Sequence, residues 1–131
     1  MTLDVMIDLE TAGSKPDAAI LSIGVVAFDP NDALTPLITP LSSGVSSTFY
    51  RNIELQSCLD LGMTVDGDTW YWWMSQSQGA RDSLIDDRHD IQPALWDLYN
   101  WMASINDRSL SDSGYVPVCP FPGHVWAWPP S

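Results

Sequence analysis

Asp8 and Glu10, with Leu9 between them and Thr11 behind, form an Asp-x-Glu-Thr sequence at the end of the apolar run that opens the chain. In an extended strand side chains alternate faces, so Leu3, Val5, Ile7 and Leu9 point one way while Asp4, Met6, Asp8 and Glu10 point the other. Asp8 and Glu10 are therefore neighbours. Two carboxylates on one face of a half-buried strand repel each other and lose hydration unless a cation sits between them. A hard, oxygen-seeking ion such as Mg²⁺ or Mn²⁺ relieves that conflict and brings catalytic chemistry with it. The plainer reading is a solvated face of an edge strand, and the short motif alone does not decide between the two.

Something must hold such a pair in place, and 131 residues with 45% hydrophobic content are enough for one domain around one core. No apolar run is long enough to span a bilayer and no signal peptide opens the chain, so the expected setting is cytoplasmic, with no membrane partner. Cys58 and Cys119 have no metal-ligand spacing and are expected as free thiols. Five Lys plus Arg against seventeen Asp plus Glu give a net charge of −12. Such a surface repels phosphate backbones, and Lys15, Arg51, Arg81, Arg88 and Arg108 form no basic track. Contact with nucleic acid would be local, at strand ends or short oligomers, through metal ions, backbone amides and stacking.

The pattern of elements is mixed. Residues 19–29 are apolar and β-branched and closed by Pro30, which predicts a second strand. Residues 30–47, punctuated by Pro36, Pro40 and Gly44, read as a long loop, and residues 47–53 as a third strand. A helical or turn segment is expected around 56–62. The spacing of Trp70, Trp73, Met74, Ser77, Ala80, Arg81 and Leu84 then predicts one helix after an Asp68 cap, with Trp70 and Trp73 packed and Trp72 off their stripe. A second helix is predicted from Pro93 to about Ile105, and both helices should cover the sheet. Residues 106–123 read as a loop and 124–128 as a fourth strand, with either Trp126 or Trp128 exposed.

Taken together, Asp8-Leu9-Glu10-Thr11 with Gly13, the segment Ile20-Leu21-Ser22-Ile23-Gly24-Val25-Val26-Ala27-Phe28-Asp29-Pro30, Thr48-Phe49-Tyr50-Arg51-Asn52-Ile53 and Thr69-Trp70-Tyr71-Trp72-Trp73-Met74-Ser75-Gln76-Ser77 resemble the DEDD superfamily of 3′-to-5′ exonucleases. The last segment is similar to the phage and bacterial branch of exonuclease A and exoribonuclease-like proteins. The resemblance implies an α+β, ribonuclease-H-like fold with three antiparallel strands, a fourth parallel to the first, and helices packed on the sheet. It also implies phosphodiester hydrolysis at 3′ ends with two divalent metals, Mg²⁺ or Mn²⁺, held by four acids, and a His or Tyr as general base. On that pattern Asp8 bridges both ions and Glu10 binds the ion that activates water. Leu9, Thr11, Gly13 and Trp72 would line the terminal nucleotide of single-stranded DNA, RNA or a short oligonucleotide. Gly13 would allow its close approach.

The pattern is departed from where relatives carry a late Phe-Asp, a base and a fourth acid. No acidic residue follows Trp128, and neither His89 nor His124 fits the base. The expectation is therefore a single incomplete exonuclease domain over 1–131, missing the C-terminal part of its fold, with little or no hydrolysis by the chain alone. An apolar face left open where that part would pack favours self-association or a protein partner. The alternative is a nuclease-derived, non-catalytic binding protein that retains a weak divalent-metal site; a third reading is an unrelated small α+β protein with surface acids.

Overall fold

The computed structural model describes residues 3–31, 45–105 and 125–127. In chain order the elements are β1 (Asp4–Thr11), β2 (Ile20–Phe28), β3 (Thr48–Ile53), α1 (Leu55–Leu59), α2 (Gly67–Met74), α3 (Gln78–Ile85), β4 (Arg88–His89), α4 (Ile91–Ile105) and β5 (Val125–Ala127). The strands hydrogen-bond in the order β4-β3-β2-β1-β5. The sheet is mixed: β5 runs parallel to β1, with Val5 opposite Val125 and Ile7 opposite Ala127, and β4 runs parallel to β3, with Asn52 opposite Arg88. The α+β, ribonuclease-H-like class expected from the sequence is the one observed, with an additional short strand in β4.

The chain divides into two compact units. The first comprises Met1–Asp8, Gly24–Phe49 and Trp96–Ser131. Its core gathers the β-branched and aromatic positions of three strands and the end of α4: Val5, Val25, Ala27, Phe49 and Ile105 are buried. The Trp101 ring lies 5.8 Å from that of Phe49, and its indole N–H donates to the Ser46 carbonyl at 2.9 Å. The half-buried indole packs its ring while its N–H finds an acceptor, so this pair helps set how α4 meets the approach to β3.

The second unit comprises Leu9–Ile23 and Tyr50–Leu95. Ile23, Ile53, Cys58, Ile91 and Ala94 are its buried centre. Asn52 is buried inside it and fully employed, its amide donating to the carbonyls of Ser83 at 2.6 Å and Asp86 at 2.7 Å while its oxygen accepts from the Tyr50 hydroxyl at 2.7 Å. The turn it ties includes Asp87, the one described non-glycine residue with positive φ, 48°. Ser57 accepts from the first N–H of α4, at Ile91, which has no partner within its own helix.

Three expectations are corrected here. The single helix after residue 68 is two helices, because Ser77 caps α3 by accepting from Ala80 N–H, while Ser75 and Gln76 donate to the Trp72 carbonyl and end α2. The cap of α2 is Asp66 and not Asp68; its carboxylate accepts from Asp68 N–H. The fourth helix starts at Ile91, ahead of Pro93, which falls in the first turn where a missing N–H costs nothing. His89 lies in the short strand β4. Residues 32–44 of the loop expected over 30–47, the loop expected over 106–123 with Cys119, and His124 and Trp128 lie outside the described residues.

Candidate functional site

Strand alternation puts Asp4, Met6, Asp8 and Glu10 on one face of β1, but the strand does not treat them alike. Asp4 is 3% exposed, Asp8 is exposed and Glu10 is half-buried. Asp4 accepts from the Trp126 indole N–H at 3.0 Å, so the first carboxylate is absorbed into the fold by β5. The described pairing of β1 with β5 ends at Ile7, and Asp8 comes next. The other face differs from expectation as well: Val5 is fully buried while Leu9 is 44% exposed, so Leu9 leaves the core and stands beside the two acids in sequence. Among the described residues no group of three or more His, Cys, Asp or Glu side chains is close enough to hold a metal ion.

Past Glu10 the backbone is held from several sides within the second unit. Ala12 N–H donates to the Ala19 carbonyl at 2.9 Å, Asp66 N–H to the Ala12 carbonyl at 2.8 Å, and the Thr11 hydroxyl to the Gly13 carbonyl at 2.8 Å. The Trp73 indole N–H donates to the Thr11 carbonyl at 3.1 Å. Gly13 has a packing reason of its own beside the close approach expected of it. A Cβ there would stand 3.2 Å from Ala18 Cβ and 3.3 Å from Asp66 Cβ, tighter than ordinary contact, so the protein's own packing favours a glycine. The stretch 11–13 is thus a pinned platform directly after the acids.

α2 supplies both the pin and an aromatic surface. Trp73, 8% exposed, faces inward, and the Trp72 ring meets it edge-on at 4.8 Å while remaining 55% exposed. Trp70, expected in the core with Trp73, is 42% exposed, and Trp73 is the buried residue of α2.

Residues 3–119 match the family described as the 3′-5′ exoribonuclease Rv2179c-like domain. The chain belongs to that family. An exodeoxyribonuclease of Enterobacteria phage T4 is 32% identical over 89 residues, which cover 67% of this chain and 37% of the phage protein. The chain therefore spans well under half the length of that relative. No solved structure matches it.

Within this exonuclease domain the structure brings Thr11 and Gly13 together on one pinned segment that carries straight on from Glu10. Trp72 sits on the helix that pins it. His89 lies 3.5 Å from Asp87 and belongs to the β3–β4 edge of the second unit. Two contributors escaped the sequence reading, Trp73 and Asp66. The signal for Trp73 was available: a tryptophan at a core position still has an N–H to satisfy, and the polar backbone that follows a strand is a natural acceptor. No helix among the described residues is long and apolar enough to cross a membrane.

Proposed function

We propose that this exonuclease domain removes nucleotides from the 3′ ends of single-stranded nucleic acid or short oligonucleotides, with a divalent cation, Mg²⁺ or Mn²⁺, held by Asp8 and Glu10. The observation that carries the reading is the continuity of β1 into the 11–13 platform, which sets two same-face acids, one exposed and one half-buried, directly before a stretch of backbone that cannot drift. Two carboxylates suit such an ion, since Mg²⁺ commonly takes one or two from protein and fills its other positions with water and substrate phosphate. When bound, the ion lowers the pKa of a water and offsets charge on the phosphate.

The chain's own residues supply position. Thr11 and Gly13 present a fixed backbone edge to the terminal nucleotide, Leu9 offers it an apolar contact, and the open Trp72 ring provides a face on which a base can stack, worth about 1–3 kcal/mol. The acidic surface discourages long duplexes, which fits a substrate engaged at its end. The family description names an exoribonuclease and the phage relative is an exodeoxyribonuclease, so both sugars belong in the assay.

A second reading keeps the same cation site without turnover, as a nuclease-derived binding protein. What favours it is that among the described residues Asp8 and Glu10 have no third carboxylate beside them, a donor set that suits an ion held mostly by water. Exposed Val125 and Trp126 on edge strand β5 offer such a protein a surface for self-association or for a partner.

The test is release of nucleotides from 3′-labelled single-stranded DNA and RNA in Mn²⁺, run beside calorimetric titration of the metal, for wild type, Asp8→Asn and Glu10→Gln. Metal-dependent release lost in both variants supports the exonuclease. Metal binding lost in both variants, with no release by wild type, supports the binding protein. Metal that changes neither stability nor calorimetry overturns both, because an ion binding only the folded state at ten times its Kd must add about 1.4 kcal/mol.

A further inference from the structure

Lys15 is the chain's one lysine. Among the described cations, Arg88 pairs with Glu54 at 3.3 Å, Arg81 donates to the Met74 carbonyl at 2.8 Å, and Arg51 donates to the Tyr50 carbonyl at 2.8 Å. Lys15 is exposed and makes no ion pair or side-chain hydrogen bond among the described residues. That is unexpected in a chain with seventeen acids. Asp17, the nearest acid in sequence, is occupied instead with the Thr64 hydroxyl at 3.1 Å.

Its position makes the free charge informative. Lys15 occupies the tip of the loop that leaves β1 through 11–13 and returns to β2. Both legs of the loop are fastened: Ala12 to Ala19 and Asp66 on one side, Asp17 and Ala19 to Thr64 on the other, with Ala18 N–H donating to the Lys15 carbonyl at 3.0 Å across the tip. Pro16 fixes its own φ and restricts the residue before it, so the tip has little backbone freedom left to lose on binding. The tip lies five residues past Glu10, at most about 17 Å along the chain. An ammonium on a long, flexible stem is a suitable point-charge partner for phosphate.

We infer that Lys15 binds a backbone phosphate of the substrate on the 5′ side of the scissile one, and so favours strands with more than one phosphate. The inference rests on the exonuclease reading above. Only one nucleotide lies 3′ of the scissile phosphate at an end, so any second phosphate within reach belongs to the 5′ side. This one contact is local, which reconciles nucleic-acid recognition with a net charge of −12.

The test uses the lysine's uniqueness. Reductive ¹³C-methylation keeps the positive charge and labels only Lys15 and the terminal amine. The Lys15 resonance is followed while a dinucleotide or a hexanucleotide, each with phosphorothioate linkages that resist cleavage, is added in diamagnetic Ca²⁺, and tryptophan fluorescence reports binding independently. The expected result is a salt-sensitive shift of Lys15 with the hexanucleotide and none with the dinucleotide. Lys15→Gln should weaken hexanucleotide binding about three-fold at low salt, as for one exposed charge pair, and flatten the salt slope by about 0.7. Dinucleotide affinity should stay unchanged, which loosening of the loop would not allow. If fluorescence reports binding while Lys15 stays still, or if Lys15→Gln weakens both ligands alike, the inference is overturned and the exonuclease reading stands. If neither signal responds to either ligand, both are overturned.

Discussion

Gly13→Ala separates two reasons for a glycine just past the Asp8 and Glu10 pair. If the residue were small to let a nucleotide approach, the substitution would leave the free protein intact and harm only binding. The structure argues otherwise, since an added methyl meets Ala18 Cβ at 3.2 Å and Asp66 Cβ at 3.3 Å. Both contacts are to Cβ atoms, which cannot swing aside as a long side chain would, and both backbones are tied, Ala18 through Lys15 and Asp66 through Ala12. Relief requires a few tenths of an ångström of backbone movement. Overpacking of that kind costs about 1–2 kcal/mol, which for a chain of this size lowers Tm by about 3–8 °C. Ala18→Gly alone costs about 1.5 kcal/mol, combining about 0.8 for a lost methyl with the backbone entropy of glycine. In the double variant the closer of the two contacts is removed while that with Asp66 Cβ at 3.3 Å remains, so the two penalties should fall short of additivity by about 0.5–1 kcal/mol. Urea melts of the four proteins measure this cycle. An unchanged midpoint for Gly13→Ala, or strict additivity with Ala18→Gly, would refute the packing argument and return Gly13 to the substrate.

Two further outcomes follow from buried donors. Trp73→Phe keeps most of the ring but removes the N–H bound to the Thr11 carbonyl, so it should cost about 1–2 kcal/mol in a urea melt and speed hydrogen exchange at 11–13; an unaltered melt would show that the bond is not carrying the platform. Asn52→Ala deprives the Ser83 and Asp86 carbonyls of their donor and should cost about 2–4 kcal/mol, with amides of 83–89 losing protection first; uniform loss across the chain would contradict a local tie.

The sequence made some elements plain and concealed others, for identifiable reasons. The strands near 19–29 and 47–53 were legible because β-branched and aromatic residues are bounded there by proline or polar turns. The break between α2 and α3 was concealed because Trp70, Trp73, Ser77 and Leu84 keep a helical period straight through it. Only the capping chemistry of Ser77 and the carbonyl contacts of Ser75 and Gln76 interrupt the ladder. β4 was illegible in principle: two residues, Arg88 and His89, have no period, and they become a strand because Glu54 N–H donates to the His89 carbonyl and Asn52 ties the turn before them. Lys15 was visible as one of five scattered cations, but its lack of a partner among the described residues is a fact of folding that no composition carries.

The face of β1 shows why alternation alone could not find the site. Its rule places Asp4, Asp8 and Glu10 together, and on that rule all three are equal candidates for a cation. What separates them is the neighbouring strand. β5 lies against the first half of β1 and spends its Trp126 indole on Asp4, giving that buried carboxylate a donor and turning it into part of the scaffold. A buried acid with a protein donor has less to gain from an ion, whereas an exposed one retains the lone pairs an ion needs. Replacing Trp126 by Phe should therefore destabilise the fold, by about 1–3 kcal/mol for a charged acceptor that loses a donor, while the metal titration of Asp8 and Glu10 keeps its midpoint. If instead the metal midpoint moves and stability does not, Asp4 belongs with the other two acids and the division of labour along β1 is drawn in the wrong place.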